Sequence, residues 1–183
     1  MLLTTFIKQL ESYKLYWQER VTRWQMSEYI YSSNDATHQL YATQIALIIS
    51  ELFKIPDSIA LKTIKYVCCH DYVECTPNSL GDVNWQLKNQ NPDIKDIVEK
   101  QERIAMQRVP EFYKAMLEFE QDEVAKRIFD LADALEALLY VRREIRCNKQ
   151  STEWEQTEVE LMPRIEENWN YLKNYKQSHP DNP

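Results

Sequence analysis

An all-α helical bundle is the fold class the sequence predicts, and three observations predict it. A single glycine serves 183 residues, whereas a sheet protein of this length needs many Gly-bearing turns. Leu, Ala, Glu, Gln and Lys, residues that favour helices, are plentiful. Apolar residues recur at three- and four-residue spacing between clusters of Pro, Asn, Asp and Ser. The length suits one domain over residues 1–183, able to bury a core of its own.

Leu2, Leu3, Phe6, Ile7, Leu10 and Trp17 place a first amphipathic helix over residues 2–20. Ser32, Ser33 and Asn34 then form a loop that ends in a cap for a second helix, from about Ala36 to Phe53. Leu40, Ile45, Leu47, Ile48, Ile49, Leu52 and Phe53 make its second half apolar on most sides, which predicts a central, buried helix. Pro56-Asp57-Ser58 starts a third helix, expected to run through Val67 to His70 and to be ended by Pro77. Residues 76–91 read as a functional loop around Gly81, where a backbone conformation other residues resist is expected. Pro92 opens a helix to about Arg108, and Pro110 a short one after it.

Asp122 to about Cys147 forms a long helix with Val124, Ile128, Leu131, Leu135, Leu138 and Leu139 on one face. Asp133 falls about 140° from Ile128, on a second face beside Phe129, Ala137 and Tyr140. A helix apolar on two faces is packed on both, so Asp133 is expected to be partly buried. The last helix starts at Thr152, which can form a capping box with Glu155, and Pro163 should kink or break it. Residues 148–183 thus read as a C-terminal helix and a frayed tail containing His179, outside a motif-bearing core over about 21–147.

The formal charge of −7 gives no basic footprint for duplex nucleic acid, but a few local cations can still serve a small anionic substrate. Cys68, Cys69, Cys75 and Cys147 show neither paired metal spacing nor a secreted-scaffold pattern. They read as reduced thiols in a cytoplasmic protein. No basic segment followed by an apolar run marks a signal peptide, and no stretch approaches 18 apolar residues, so no membrane partner is expected.

The chemistry concentrates in His70-Asp71, with His38 upstream and Asp133 downstream. These residues come from three predicted helices, which is how bundle cores assemble metal sites, and imidazole with carboxylate suits a borderline or hard divalent cation. Glu74 stands four residues after His70, one helical turn on, where a carboxylate can orient an attacking water or take its proton. Arg23-Trp24 follows the first helix; an Arg there can clamp a phosphate and a Trp can cover a sugar or base.

In these residues the chain resembles the bacterial HD-domain 5′-deoxynucleotidases (YfbR-like) of the HD phosphohydrolase superfamily. The likeness runs from about Val21 to Cys147. Arg23-Trp24 stands 15 residues before His38, His70-Asp71-x-x-Glu74 matches an HD-x-x-E motif, and Ala132-Asp133-Ala134-Leu135 an A-D-A-L helix motif. Gly81-Asp82, Lys88 and Asn91-Pro92 repeat the family's G-D…K…N-P order. Two features depart from it: a longer spacing between Glu74 and Gly81, and Asn84 and Gln86, flanking Trp85, where the family carries prolines.

The resemblance implies a single HD-domain helical bundle with a metal site in its core. His38, His70, Asp71 and Asp133 would be the metal ligands, Arg23 would orient the phosphate, and Glu74 would assist the attacking water. Trp24, Asp82, Val83, Asn84, Trp85 and Lys88 would contact the substrate. The implied activity is hydrolysis of deoxynucleoside 5′-monophosphates to deoxynucleoside and phosphate. The alternative is release of tripolyphosphate from a deoxynucleoside triphosphate, as relatives among phage enzymes do with dATP. A divalent transition metal such as cobalt or manganese, with magnesium or zinc possible, and a homodimer or higher homo-oligomer belong to the same implication.

Overall fold

The computed structural model describes residue 23 and residues 33–76, 91–147 and 152–180. The predicted helix over residues 2–20, Trp24 and the loop around Gly81 lie outside the described residues. Six α-helices make up the rest: α1 (Asp35–Phe53), α2 (Asp57–Val67), α3 (Pro92–Met106), α4 (Pro110–Glu120), α5 (Glu123–Cys147) and α6 (Thr152–Ser178). A short 3-10 helix, His70–Cys75, follows α2.

The caps explain the starts. Asn34 caps α1 by accepting a hydrogen bond from the Thr37 N–H at 2.9 Å. Asn91 caps α3, whose first turn holds Pro92, where no amide hydrogen is needed. Asp122 caps α5 by accepting from the Ala125 N–H at 3.1 Å. Its other oxygen holds Lys62 of α2 at 2.7 Å, so a lysine on a face expected to meet water ties two helices together. Burial of Asp122 works against its charge, but Lys62 and the capping amides hold its carboxyl below the usual range.

Between α1 and α2 the chain reverses through Lys54, which is left-handed at φ 55°. The Ile55 N–H donates to the Ser50 carbonyl at 2.9 Å and the Lys54 N–H to that of Glu51 at 3.2 Å, the paired closure of a Schellman motif. A non-glycine residue there costs about 1 kcal/mol, which the burial of Ile55 and Phe53 offsets. The reversal sends α2 back along α1. His38, in the first turn of α1, and His70, just past the end of α2, therefore meet at one end of the pair.

The main core joins α1, α2, α5 and α6 through Ala42, Ala46, Ile49, Ile128, Leu131, Leu138, Trp154 and Leu172, among others. A second cluster joins the 3-10 helix to α3 and α4 through Cys69, Val73, Met106 and Met116. The aromatic rings of Tyr66, Phe119 and Phe129 bridge the two, with Tyr66 stacked on Phe119 at 4.0 Å.

Four expectations are corrected. The third helix stops at Val67 rather than His70. α1 is central, since it packs against α2, α5 and α6, but Leu40, Leu47, Ile48 and Leu52 are exposed; its small residues Ala42 and Ala46 face the core instead. Leu139 likewise turns outward from α5. Pro163 does not break α6, which runs on to Ser178. It lies on the solvent side, where the Val159 carbonyl left without a helical partner can be hydrated, while Trp154, Leu161, Ile165 and Leu172 hold the other side in the core.

Helix α6 begins at Thr152, which places that residue in the first turn rather than at a cap. His179 stacks on Tyr175 at 4.3 Å, and its Nδ1 lies 3.0 Å from the Tyr175 carbonyl.

Candidate metal centre

His38 enters the centre from α1 with no solvent exposure. Its Nδ1 lies 2.6 Å from Oε2 of Glu136, a carboxylate on α5. His70 enters from the start of the 3-10 helix, and its Nδ1 lies 2.8 Å from the Val67 carbonyl. A carbonyl and an ionised carboxylate only accept, so each imidazole donates through Nδ1–H and turns Nε2 toward the other residues of the cluster. Phe129 packs edge-on against His70 at 4.9 Å and fixes the plane of that ring.

The carboxylates close the arrangement. Asp71 Oδ1 is 3.0 Å from His70 Nε2, and its Oδ2 is 3.5 Å from His38 Nε2. Asp133 Oδ1 is 3.2 Å from His38 Nε2, while its Oδ2 accepts from Arg164 of α6 at 3.0 Å. Arg164 also donates to Asp130 at 3.0 Å and so clamps two acids one turn apart on α5. Arg23 Nη1 lies 3.5 Å from Asp71 Oδ2, and the Arg23 N–H donates to the Ser33 carbonyl at 3.1 Å.

His38, His70 and Asp71 each offer a donor atom within 4.8 Å of the others. The His70–Asp71 and His38–Asp133 separations of 3.0 and 3.2 Å fall in the roughly 3.0–3.4 Å between neighbouring ligands of one ion bound at about 2.1 Å, and the other Asp71 oxygen lies slightly farther out, 3.5 Å from His38. His38 Nε2 is buried and faces the Asp133 and Asp71 carboxylates at 3.2 and 3.5 Å, an arrangement that a proton or a cation between them completes. The residues therefore fit a divalent metal ion.

Electrostatics point the same way. Burial opposes a charge on His38, as does Arg23, yet the Asp133 and Glu136 carboxylates and the Asp71 charge outweigh both and push its pKa up to about 9. Burial also opposes ionisation of Asp133, but His38 and Arg164 hold its carboxyl well below the usual range. His70 is shifted down, because burial outweighs the pull of Asp71. The centre selects positive charge at His38 Nε2 even before a metal is considered.

Of the residues singled out in the sequence, His38, His70, Asp71 and Asp133 converge, and Arg23 adjoins them through Asp71. Glu74 is placed differently from the expectation. In a 3-10 helix successive residues advance about 120°, so Glu74 stands about 120° round from His70 rather than one turn above it. Trp24, Asp82, Val83, Asn84, Trp85 and Lys88 lie outside the described residues. Two participants escaped the sequence reading. Glu136 carried a usable signal, three residues after Asp133 on the same helical face. Arg164 carried none, since 31 residues separate it from Asp133.

The family match and the fold together give the class of this helical bundle with its His-Asp cluster: an HD-domain, metal-dependent phosphohydrolase. The family model described as 5′-deoxynucleotidase YfbR-like matches residues 13–176, and the chain belongs to that family of nucleotide phosphohydrolases. Solved structures share the fold. A cyanophage S-2L HD phosphohydrolase, DatZ, bound to dA and one catalytic Zn2+ ion, is 18% identical over 89% of this chain and 96% of its own, with a TM-score of 0.60. An HD-domain phosphohydrolase from Listeria innocua is 14% identical over 98% and 85%, with a TM-score of 0.67. Comparison with curated proteins gives no significant match. Among the described residues no helix is long and apolar enough to cross a membrane.

Proposed function

We propose that the protein hydrolyses deoxynucleoside 5′-monophosphates to deoxynucleoside and phosphate, with one divalent transition metal held by His38, His70, Asp71 and Asp133. The observation that carries this reading is the cluster of His38, His70 and Asp71, whose donor atoms lie within 4.8 Å of one another, with Asp133 Oδ1 3.2 Å from the buried His38 Nε2. Family membership supports the nucleotide. The dA and single Zn2+ in the cyanophage neighbour support a deoxynucleoside moiety and a one-ion centre. Cobalt and manganese suit the two-imidazole, two-carboxylate donor set, as zinc and magnesium can. We place the enzyme in the cytoplasm as a homo-oligomer.

When bound, the ion polarises a phosphoryl oxygen and makes water more acidic. The remaining work falls to the chain. Arg23, beside Asp71, faces the phosphate and balances the charge that develops on its oxygens. Glu74 accepts a proton from the water as its oxygen attacks phosphorus. The bond from phosphorus to the 5′ oxygen breaks, and that oxygen takes up the proton held by Glu74, directly or through solvent water, and leaves as the free deoxynucleoside. As the family resemblance implies, Trp24 would cover the sugar, residues 82–85 would crowd its 2′ position and Lys88 would add charge on the phosphate side; these residues lie outside the described ones.

A panel of ribo- and deoxynucleoside mono- and triphosphates, scored for phosphate, pyrophosphate and tripolyphosphate, tests the reading. Phosphate released fastest from deoxynucleoside monophosphates is the expected result. Intact tripolyphosphate released faster from a deoxynucleoside triphosphate would overturn the choice of substrate, and equal kcat/KM for paired ribo and deoxy substrates would remove the crowding of the 2′ position.

A further inference from the structure

Glu136 has no part in the reaction as written, yet it lies almost wholly buried on α5 with its carboxylate against a metal-facing histidine. A buried carboxylate is retained only where a partner and hydrogen bonds compensate for lost hydration. Here the partner is the fully buried ring of His38 at 2.6 Å. The other histidine is held differently: His70 donates to a neutral backbone carbonyl at 2.8 Å. Charge-assisted hydrogen bonds are shorter and stronger than neutral ones, so the two imidazoles are unequal as electron donors.

We infer that Glu136 is the positioning residue of the metal centre, holding the Nδ1–H of His38 so that Nε2 is the ligand atom and a stronger donor than that of His70. This inference rests on the metal-site reading above. Helix geometry makes the role economical: Asp133 and Glu136 are three residues apart on α5, so one face supplies both a ligand and the group that aims another ligand from α1. Outer carboxylates of this kind fix ring orientation and raise ligand basicity, and their loss typically weakens metal affinity by about 10–100-fold.

The test uses the full chain and its Glu136→Gln and Glu136→Ala variants, titrated with Zn2+ while binding is followed directly. Glu136→Gln keeps the volume and an acceptor but removes the charge, and should raise the Zn2+ Kd by about tenfold. Glu136→Ala should raise it by up to about 100-fold. Activity lost at low metal should return as metal is raised, which a misfolded or inert chain would not show. Nitrogen-15 spectra of the Zn2+-loaded protein, with only three histidines to assign, should show His38 protonated at Nδ1 and coordinated through Nε2.

A wild-type Zn2+ Kd in both variants, or coordination of His38 through Nδ1, would overturn the role of Glu136 while leaving the metal site standing. Wild-type protein that binds no divalent ion would overturn the site itself. Should Glu136→Ala fail to fold, Glu136→Gln carries the test alone.

Discussion

Metal binding should tighten steeply with pH, because the proton and the ion compete for one atom. His38 Nε2 faces the carboxylates, and its imidazole holds a proton up to about pH 9 in the metal-free protein. A ligand nitrogen must be deprotonated to bind. The apparent Kd therefore scales with one plus the ratio of proton activity to the His38 acid constant. Between pH 6.5 and 8.0 a group titrating near 9 gives a tightening of about 30-fold, whereas one titrating at 6.5 gives about twofold. His70 adds little over this range, since its pKa is shifted down and its ring is neutral there. Calorimetric titration with Co2+ or Mn2+ in two buffers of different ionisation enthalpy reads both the affinity and the proton released. About one proton released per ion at pH 7 is the expected result. A twofold change in Kd with no proton release would refute the coupling of His38 to Asp133 and Glu136.

The same protonation has a defined sign for folding. A group whose folded pKa is raised contributes stability in full below its unfolded value, here about 6.5, and loses it as pH rises through about 9. The metal-free protein should lose up to about 3 kcal/mol across that window from His38, at 1.36 kcal/mol per unit. Thermal melts with chelator present should show it.

Three further outcomes follow from single residues. Asp133→Asn should weaken metal binding by about two orders of magnitude, because the amide oxygen lacks the charge a divalent ion requires; near-native metal content with full activity would remove Asp133 from the ligand set. Glu74→Ala should retain the ion and lower turnover by about 10²–10⁴-fold; loss of the ion as well would make Glu74 structural or a ligand. Trp154→Ala should destabilise the fold by about 3–5 kcal/mol in denaturant melts, since the indole is fully buried against Tyr140 between α5 and α6; a change below 1 kcal/mol would mean the two helices do not share a core there.

Legibility in the sequence followed the range of the interaction. Local signals worked: the cap expected before α1 is Asn34, whose side-chain oxygen meets an amide three residues on, and the starts marked by Pro92 and Asp122 lie beside caps of the same kind at Asn91 and Asp122. His70-Asp71 could be read because adjacent residues share one place. Signals that depend on packing failed. The apolar residues of α1 gave no warning that Leu40, Leu47 and Ile48 would be exposed while two alanines face the core. Pro163 is a strong local breaker, but the buried side of α6 outweighs one missing hydrogen bond. Lys54 closes a left-handed turn that sequence patterns assign to glycine.

The small residues decide how well the centre is built. Ala42 and Ala46 of α1 share a core with Ala132, Ala134 and Ala137 of α5, and helices whose contacts are alanines approach more closely than helices separated by leucines. That approach lets a histidine on α1 reach Glu136 at 2.6 Å and Asp133 at 3.2 Å on α5. A larger side chain at Ala42, one turn beyond His38 on its face, would part the helices, and coordination tolerates only a few tenths of an ångström. Metal affinity in this chain is therefore a property of helix packing as much as of its ligands. A bulky residue at Ala42 would weaken the centre while every ligand remained in the sequence.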